Sequence, residues 1–87
     1  MRERAIEKKS KRFAAAQGWY VRKFKTANRR GLPDDIFIRQ GVVLFIEFKK
    51  EGEEATEQQQ LEHDRIRAQG IQVYVVDNFE DAKIILM

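Results

Sequence analysis

Hydrophobic and polar residues alternate along this chain with two different periods. From Arg2 to Gln17 there is no Gly or Pro, and Ile6, Phe13, Ala16 and Tyr20 recur at helical spacing opposite a Lys/Arg-rich side. That pattern predicts an amphipathic helix ending at Gly18. The aromatic and β-branched run WYVRKFK (19–25) predicts a strand, and TANRRGLP (26–33) a basic loop closed by Gly and Pro. DIFIR (35–39), a Gln40-Gly41 turn and VVLFIEFKK (42–50) predict a hairpin. Its second strand is apolar on both faces until Glu47, as expected of a central strand buried on two sides. After the connection EGEEA, TEQQQLEHDRIRAQG predicts a helix with Thr56 as N-cap and Gly70 beyond its end. IQVYVV (71–76) predicts a last strand and FEDAKIILM a short final helix. The order α-β-β-β-α-β-α implies an α/β fold, a small mixed sheet flanked by helices.

Composition narrows this without changing it. Eighty-seven residues, 43% apolar and 36% charged, fit one small globular domain over residues 1–87. The absence of cysteine excludes disulfides and thiolate metal sites. No apolar run reaches membrane-spanning length, and MRERAIEKKSKR lacks the apolar core of a secretory signal, so a soluble, cytoplasmic protein with no membrane partner is expected.

Charge does change the picture. Residues 2–30 hold eleven Lys or Arg against Glu3 and Glu7, a balance of +9, whereas residues 31–87 hold six basic and twelve acidic residues, a balance of −6. A basic half suits a polyanionic partner, because neutralising phosphates releases counterions. A solvated basic helix would show the same balance, so charge alone does not decide.

Three polar features break the apolar pattern. Asp34-Asp35 precede a buried strand, Glu47-Phe48-Lys49 places two charges inside another, and Glu7 stands on an otherwise basic helix. Period two puts Glu47 and Lys49 on one face. Folding the hairpin about Gln40-Gly41 opposes residues whose numbers total about 81, so Asp34 faces Glu47 and Asp35 points to the other face in a structural role. Two neighbouring carboxylates repel, and a divalent cation removes the conflict. Hard oxygen ligands favour Mg²⁺ or Mn²⁺ over zinc. Such a cation lowers the pKa of water and stabilises charge on a phosphoryl oxygen, while Lys49 steadies the developing negative charge. These are the parts of phosphodiester hydrolysis.

Taken together, the helix RERAIEKK, the stretch RRGLPD, the strand FIEFK and the segment TEQQQLEHDRIRAQG resemble the PD-(D/E)xK nuclease superfamily. More narrowly they resemble the stand-alone, phage-type VRR-NUC (virus-type replication-repair nuclease) family, over nearly the whole chain. The resemblance implies a small restriction-endonuclease-like core. By position it makes Asp34 and Glu47 the metal carboxylates, Lys49 the catalytic lysine, Glu7 a helix-borne acid near the metal and Gln59 the glutamine beside the site. It also makes the Phe48 backbone carbonyl a metal ligand. KKEG (49–52) departs from the family, where a proline often follows the lysine. The implied activity is Mg²⁺-dependent endonuclease cleavage of branched DNA, Holliday junctions in particular, by a homodimer. A flap-type nuclease of the same superfamily and a non-catalytic nucleic-acid-binding module are the alternatives.

Several residues carry a plainer reading beside the functional one. Asp34 taken alone suits a turn. Glu7 is spaced to pair with Lys11 on the helix. Gln59 completes the capping box Thr56-x-x-Gln59, so cap and site roles both stay open. His63 reads as structural or DNA-facing, and Trp19 and Tyr20 as core residues. Arg29, Arg30, Lys23, Lys25, Lys8 and Lys11 are the expected phosphate contacts.

Overall fold

In the computed structural model, which describes residues 2–87, the elements follow the expected order. They are α1 (Glu3–Ala16), β1 (Tyr20–Lys23), β2 (Asp35–Arg39), β3 (Val42–Phe48), α2 (Glu57–Arg67), β4 (Gln72–Val76) and α3 (Phe79–Leu86). The four strands form one sheet in the order β1-β2-β3-β4. The first three run antiparallel, and β4 lies parallel to β3 after the α2 crossover. Strand β3, apolar on both faces until Glu47, is therefore internal, as its sequence requires.

Hairpin geometry fixes how β2 meets β3. Gln40 and Gly41 both have positive φ (49° and 83°), the signature of a two-residue turn whose twist matches the flanking strands. The resulting register sets Arg39 against Val42 and Asp35 against Ile46. Alternation then sorts the side chains. Phe37, Leu44, Ile46 and Phe48 join Ile6, Ala14, Trp19, Val76, Ala82 and Leu86 in the main core, under α1 and α3. Phe45, Val73 and Glu47 face the other way, toward α2.

The apolar face of α1 departs from expectation. Its buried residues are Ile6, Ser10 and Ala14, with Phe13 partly covered, while Ala16 is exposed. Tyr20 lies in β1, exposed and stacked under the Arg22 guanidinium, so only Trp19 of the two aromatics is core. The chain leaves the helix at Gln17, which ends the helical period before Tyr20. Trp19 is anchored by its indole N–H, which donates to the Leu86 carbonyl at 2.8 Å and ties β1 to the end of α3.

Both sheet edges are plugged by arginine. Arg22 donates to the Val21 carbonyl on β1 at 2.8 Å, and Arg67 donates twice to the Val73 carbonyl on β4 (2.7 and 3.2 Å). Such devices remove open carbonyls that would template strand addition.

The loop before β2 is held by close backbone approach. Gly31 has φ 82°, and a Cβ there would stand 2.6 Å from the Gln58 carbonyl oxygen of α2. Gly31→Ala is expected to lower stability by at least about 1–2 kcal/mol from the left-handed backbone alone, with the collision adding more. A fall in the urea midpoint at unchanged slope would register it.

Candidate active site

Asp34 ends the loop before β2, and Glu47 is the penultimate residue of β3. Extending the register by one pair sets them opposite each other on the α2 side of the sheet. Both are buried, Asp34 at 3% exposure and Glu47 at 0%. Asp34 Oδ2 accepts a hydrogen bond from the Phe48 amide at 2.8 Å. A strand residue presents its N–H and C=O at the same edge, so the Phe48 carbonyl faces the Asp34 side. Across from it in register stands Pro33, which has no N–H to engage it.

Glu47 is gripped mainly through one oxygen. Its Oε2 accepts from Gln59 Nε2 at 3.0 Å and lies 3.9 Å from Lys49 Nζ. Gln59 caps its helix and touches Glu47 with the same side chain. Its Oε1 accepts from the Thr56 amide at 2.8 Å, and its own amide donates to Thr56 Oγ1 at 3.1 Å, completing the capping box. Lys49 is held just past β3 by its amide bond to the Val76 carbonyl (2.8 Å), and its ammonium stands between Glu47 and Glu53, 3.9 Å from an oxygen of each. Glu53, four residues beyond Lys49, was not singled out in the sequence. Its spacing was the available signal.

The second oxygen, Glu47 Oε1, is buried and has no hydrogen-bond partner among the described residues. His63 Nε2 lies 3.9 Å from it. His63 is 1% exposed, which rules out a DNA-facing role. The residue looks inward because α2 presents positions 59 and 63, one turn apart, to β3.

Burial and the neighbouring Asp34 charge push the Glu47 carboxyl up to about 7, against the pull of Lys25 and Lys49. Burial also raises Asp34, with the Phe48 amide opposing. The Lys25 ammonium lies 3.8 Å from Asp34 Oδ1. His63 is pushed down by burial and by Arg67.

On the opposite face, Asp35 is fully buried against α1. Lys11 Nζ lies 3.1 Å from its Oδ1, and Glu7 Oε2 lies 2.8 Å from Lys23 Nζ. The expected Glu7–Lys11 helix pair is thus replaced by two cross-element pairs. A buried carboxyl is the costlier group to leave uncompensated, so it takes the lysine. Burial, then the Glu7 carboxyl beside it, raises Asp35 to about 7. Burial would raise Glu7 too, but the neighbouring Asp35 and the Lys23 ammonium outweigh it and bring Glu7 below its usual value.

Beside Asp34 opens a cleft of about 480 Å³ lined by Arg2, Glu3, Arg4, Glu7, Lys23, Lys25 and Asp34. Lys8 and Lys11 line an adjoining hollow of about 250 Å³. Arg29 and Arg30 are exposed on the loop leading to Asp34. Arg2 and Arg4 were missed as site residues, since the sequence showed only that the helix was basic.

Among the described residues no three His, Asp or Glu side chains converge as a ready-made cage. The donors present nevertheless suit Mg²⁺, which keeps several waters and takes one or two carboxylates. Asp34 and Glu47 supply hard oxygens, Glu47 Oε1 is unengaged, and the Phe48 carbonyl faces the same side.

A raised carboxyl pKa means that the folded chain keeps protons the unfolded chain has lost. Its stability therefore falls as pH rises from the ordinary 4.5 through about 7 for Glu47, with Asp35 acting in the same direction. Thermal melts without divalent cation should show that decline, Mg²⁺ should restore stability at pH 8, and Glu47→Gln should flatten the slope.

No protein-family model matches the chain. It is 36% identical over 86 residues to "Putative nuclease p44" of Acyrthosiphon pisum secondary endosymbiont phage 1, covering 98% of this chain and 92% of that protein. A solved structure described as a VRR_NUC domain superposes with a TM-score of 0.85 at 33% identity, covering 95% of this chain and 91% of the other. With the sequence related over nearly its full length to a phage nuclease and its fold matching that domain, this chain belongs to the VRR-NUC family.

Proposed function

We propose that the chain is a Mg²⁺-dependent endonuclease that hydrolyses phosphodiester bonds in DNA, working as a homodimer on branched substrates such as Holliday junctions. One observation carries the reading: two facing buried carboxylates, Asp34 and Glu47, stand beside Lys49 next to a cleft lined with arginine and lysine. Asp34, Glu47 and the Phe48 carbonyl would hold the ion, with Glu7 close by on the α1 side. When bound, Mg²⁺ would help to activate the attacking water and would neutralise charge on the phosphoryl oxygens.

The protein's own groups do the rest. Lys49, almost fully enclosed, directs its ammonium toward the reacting centre and stabilises negative charge as it develops there. Gln59 holds Glu47 Oε2 from α2. Lys23, Lys25, Arg29, Arg30, Lys8 and Lys11 line the approach and bind the DNA backbone without reading bases. A single domain offers one site, so paired cuts in a junction need two copies.

Labelled four-way junction, flap and duplex DNA, incubated with Mg²⁺, form the test. Cutting is expected for the junction first. Asp34→Asn and Lys49→Ala should lose at least about 100-fold in rate while still binding DNA. Binding without metal-dependent cutting on every substrate would leave only a non-catalytic module, and preference for flaps would move the substrate assignment.

Gln59 separates cap from site. Thr56→Ala should cost about 1 kcal/mol of stability with cleavage retained, whereas Gln59→Ala should reduce both. Equal cleavage by Gln59→Ala and the parent chain would confine that side chain to capping.

A further inference from the structure

Three buried polar atoms without hydrogen-bond partners meet on the inner face of α2: Glu47 Oε1, His63 Nδ1 and His63 Nε2. Leaving such groups unsatisfied in the interior is costly, so a cluster of them in a small domain calls for a use. Volume alone does not explain His63. A leucine or phenylalanine would fill the space without desolvating two nitrogens.

Position supplies the use. Gln59 and His63 lie four residues apart on α2 and face the same carboxylate. Gln59 donates to one oxygen at 3.0 Å, and His63 Nε2 stands 3.9 Å from the other. A side-chain shift of about 1 Å brings that gap into hydrogen-bond range. We propose that His63 is a positioning residue for Glu47, donating from Nε2–H to Oε1 so that α2 grips the carboxylate at both oxygens.

With only Oε2 held, the carboxylate can pivot about its terminal torsion. Held at both oxygens, it presents its remaining lone pairs in one direction. Partners of this kind around a metal-binding carboxylate typically change metal affinity 10–100-fold. The functional half of the proposal rests on the metal-dependent nuclease reading above. The hydrogen bond itself does not.

Calorimetric titration of the full chain with Mn²⁺ tests it, alongside thermal melts of each variant. His63→Phe keeps a ring without a donor, His63→Gln places an amide nitrogen where Nε2 was, and His63→Asn places one near Nδ1. His63→Phe and His63→Asn should bind Mn²⁺ about 10-fold or more weakly, with His63→Gln within a few-fold of the parent. Parental affinity in His63→Phe overturns the proposal, and so does a His63→Gln variant as weak as His63→Phe. Should the variants not fold, long-range ¹⁵N–¹H spectra of the unaltered chain decide: a neutral Nε2–H tautomer is expected, and an Nδ1–H tautomer overturns the bond. If the parent chain itself does not bind Mn²⁺, the nuclease reading falls, while the tautomer still decides the His63–Glu47 contact.

Discussion

Two carboxyl groups removed from water side by side cannot both ionise cheaply, and the Asp34–Glu47 pair imposes that cost on the centre of this sheet. Every neighbour of the pair reads as a partial remedy. The Phe48 amide faces Asp34, the Gln59 amide faces Glu47, and the Lys49 and Lys25 ammonium groups stand just under 4 Å away. None of them offsets burial, the largest cause of the raised pKa of both acids, to which the Asp34 charge adds at Glu47. A site that retains such tension gives up stability, as is common at functional centres. Burial of β3 on both faces is the condition for it, because an edge strand would have let water dissolve the conflict.

Much of that centre was legible from residue order. A two-residue turn and strict alternation suffice to set Asp34 against Glu47 and to turn Asp35 away, and the apolar run Val42–Ile46 identifies β3 as internal. What stayed hidden depended on the angle at which a helix meets the sheet. The buried side of α1 runs through Ser10, which no hydrophobic pattern selects, and Lys11 prefers a carboxyl on another element to Glu7 one turn away. His63 was equally ambiguous, because a lone histidine on a polar helix shows neither which way it points nor what it meets. The low apolar content of α2 concealed that its inner face is itself polar: it covers Glu47 with Gln59 and His63.

The charge asymmetry also takes on a different meaning. Part of the basic half is spent internally, with Lys11 on Asp35, Lys23 on Glu7 and Lys25 on Asp34. These contacts stitch α1 to β2 and to the end of β1, and the residue Lys25 beyond β1 to Asp34. Arg2, Arg4, Lys8, Arg29 and Arg30 remain exposed around the cleft and the loop leading to it. The same excess of positive charge thus organises the site and leaves a surface for an anion.

Beyond the acids themselves, the Gln40-Gly41 turn has an unexpected reach. Strand β2 is apolar on both sides, with Ile36 and Ile38 on one face and Phe37 on the other, so hydrophobicity by itself only weakly distinguishes a correct pairing from one slipped by a residue. With Asp34 and Asp35 adjacent, a slipped hairpin would still offer an acid near Glu47, but the wrong one, and Phe37 would leave the core. The backbone hand of two residues at the far end of the hairpin therefore works as an address label, and a chain altered only at Gly41 could lose the Asp34–Glu47 pairing with both acids still in its sequence.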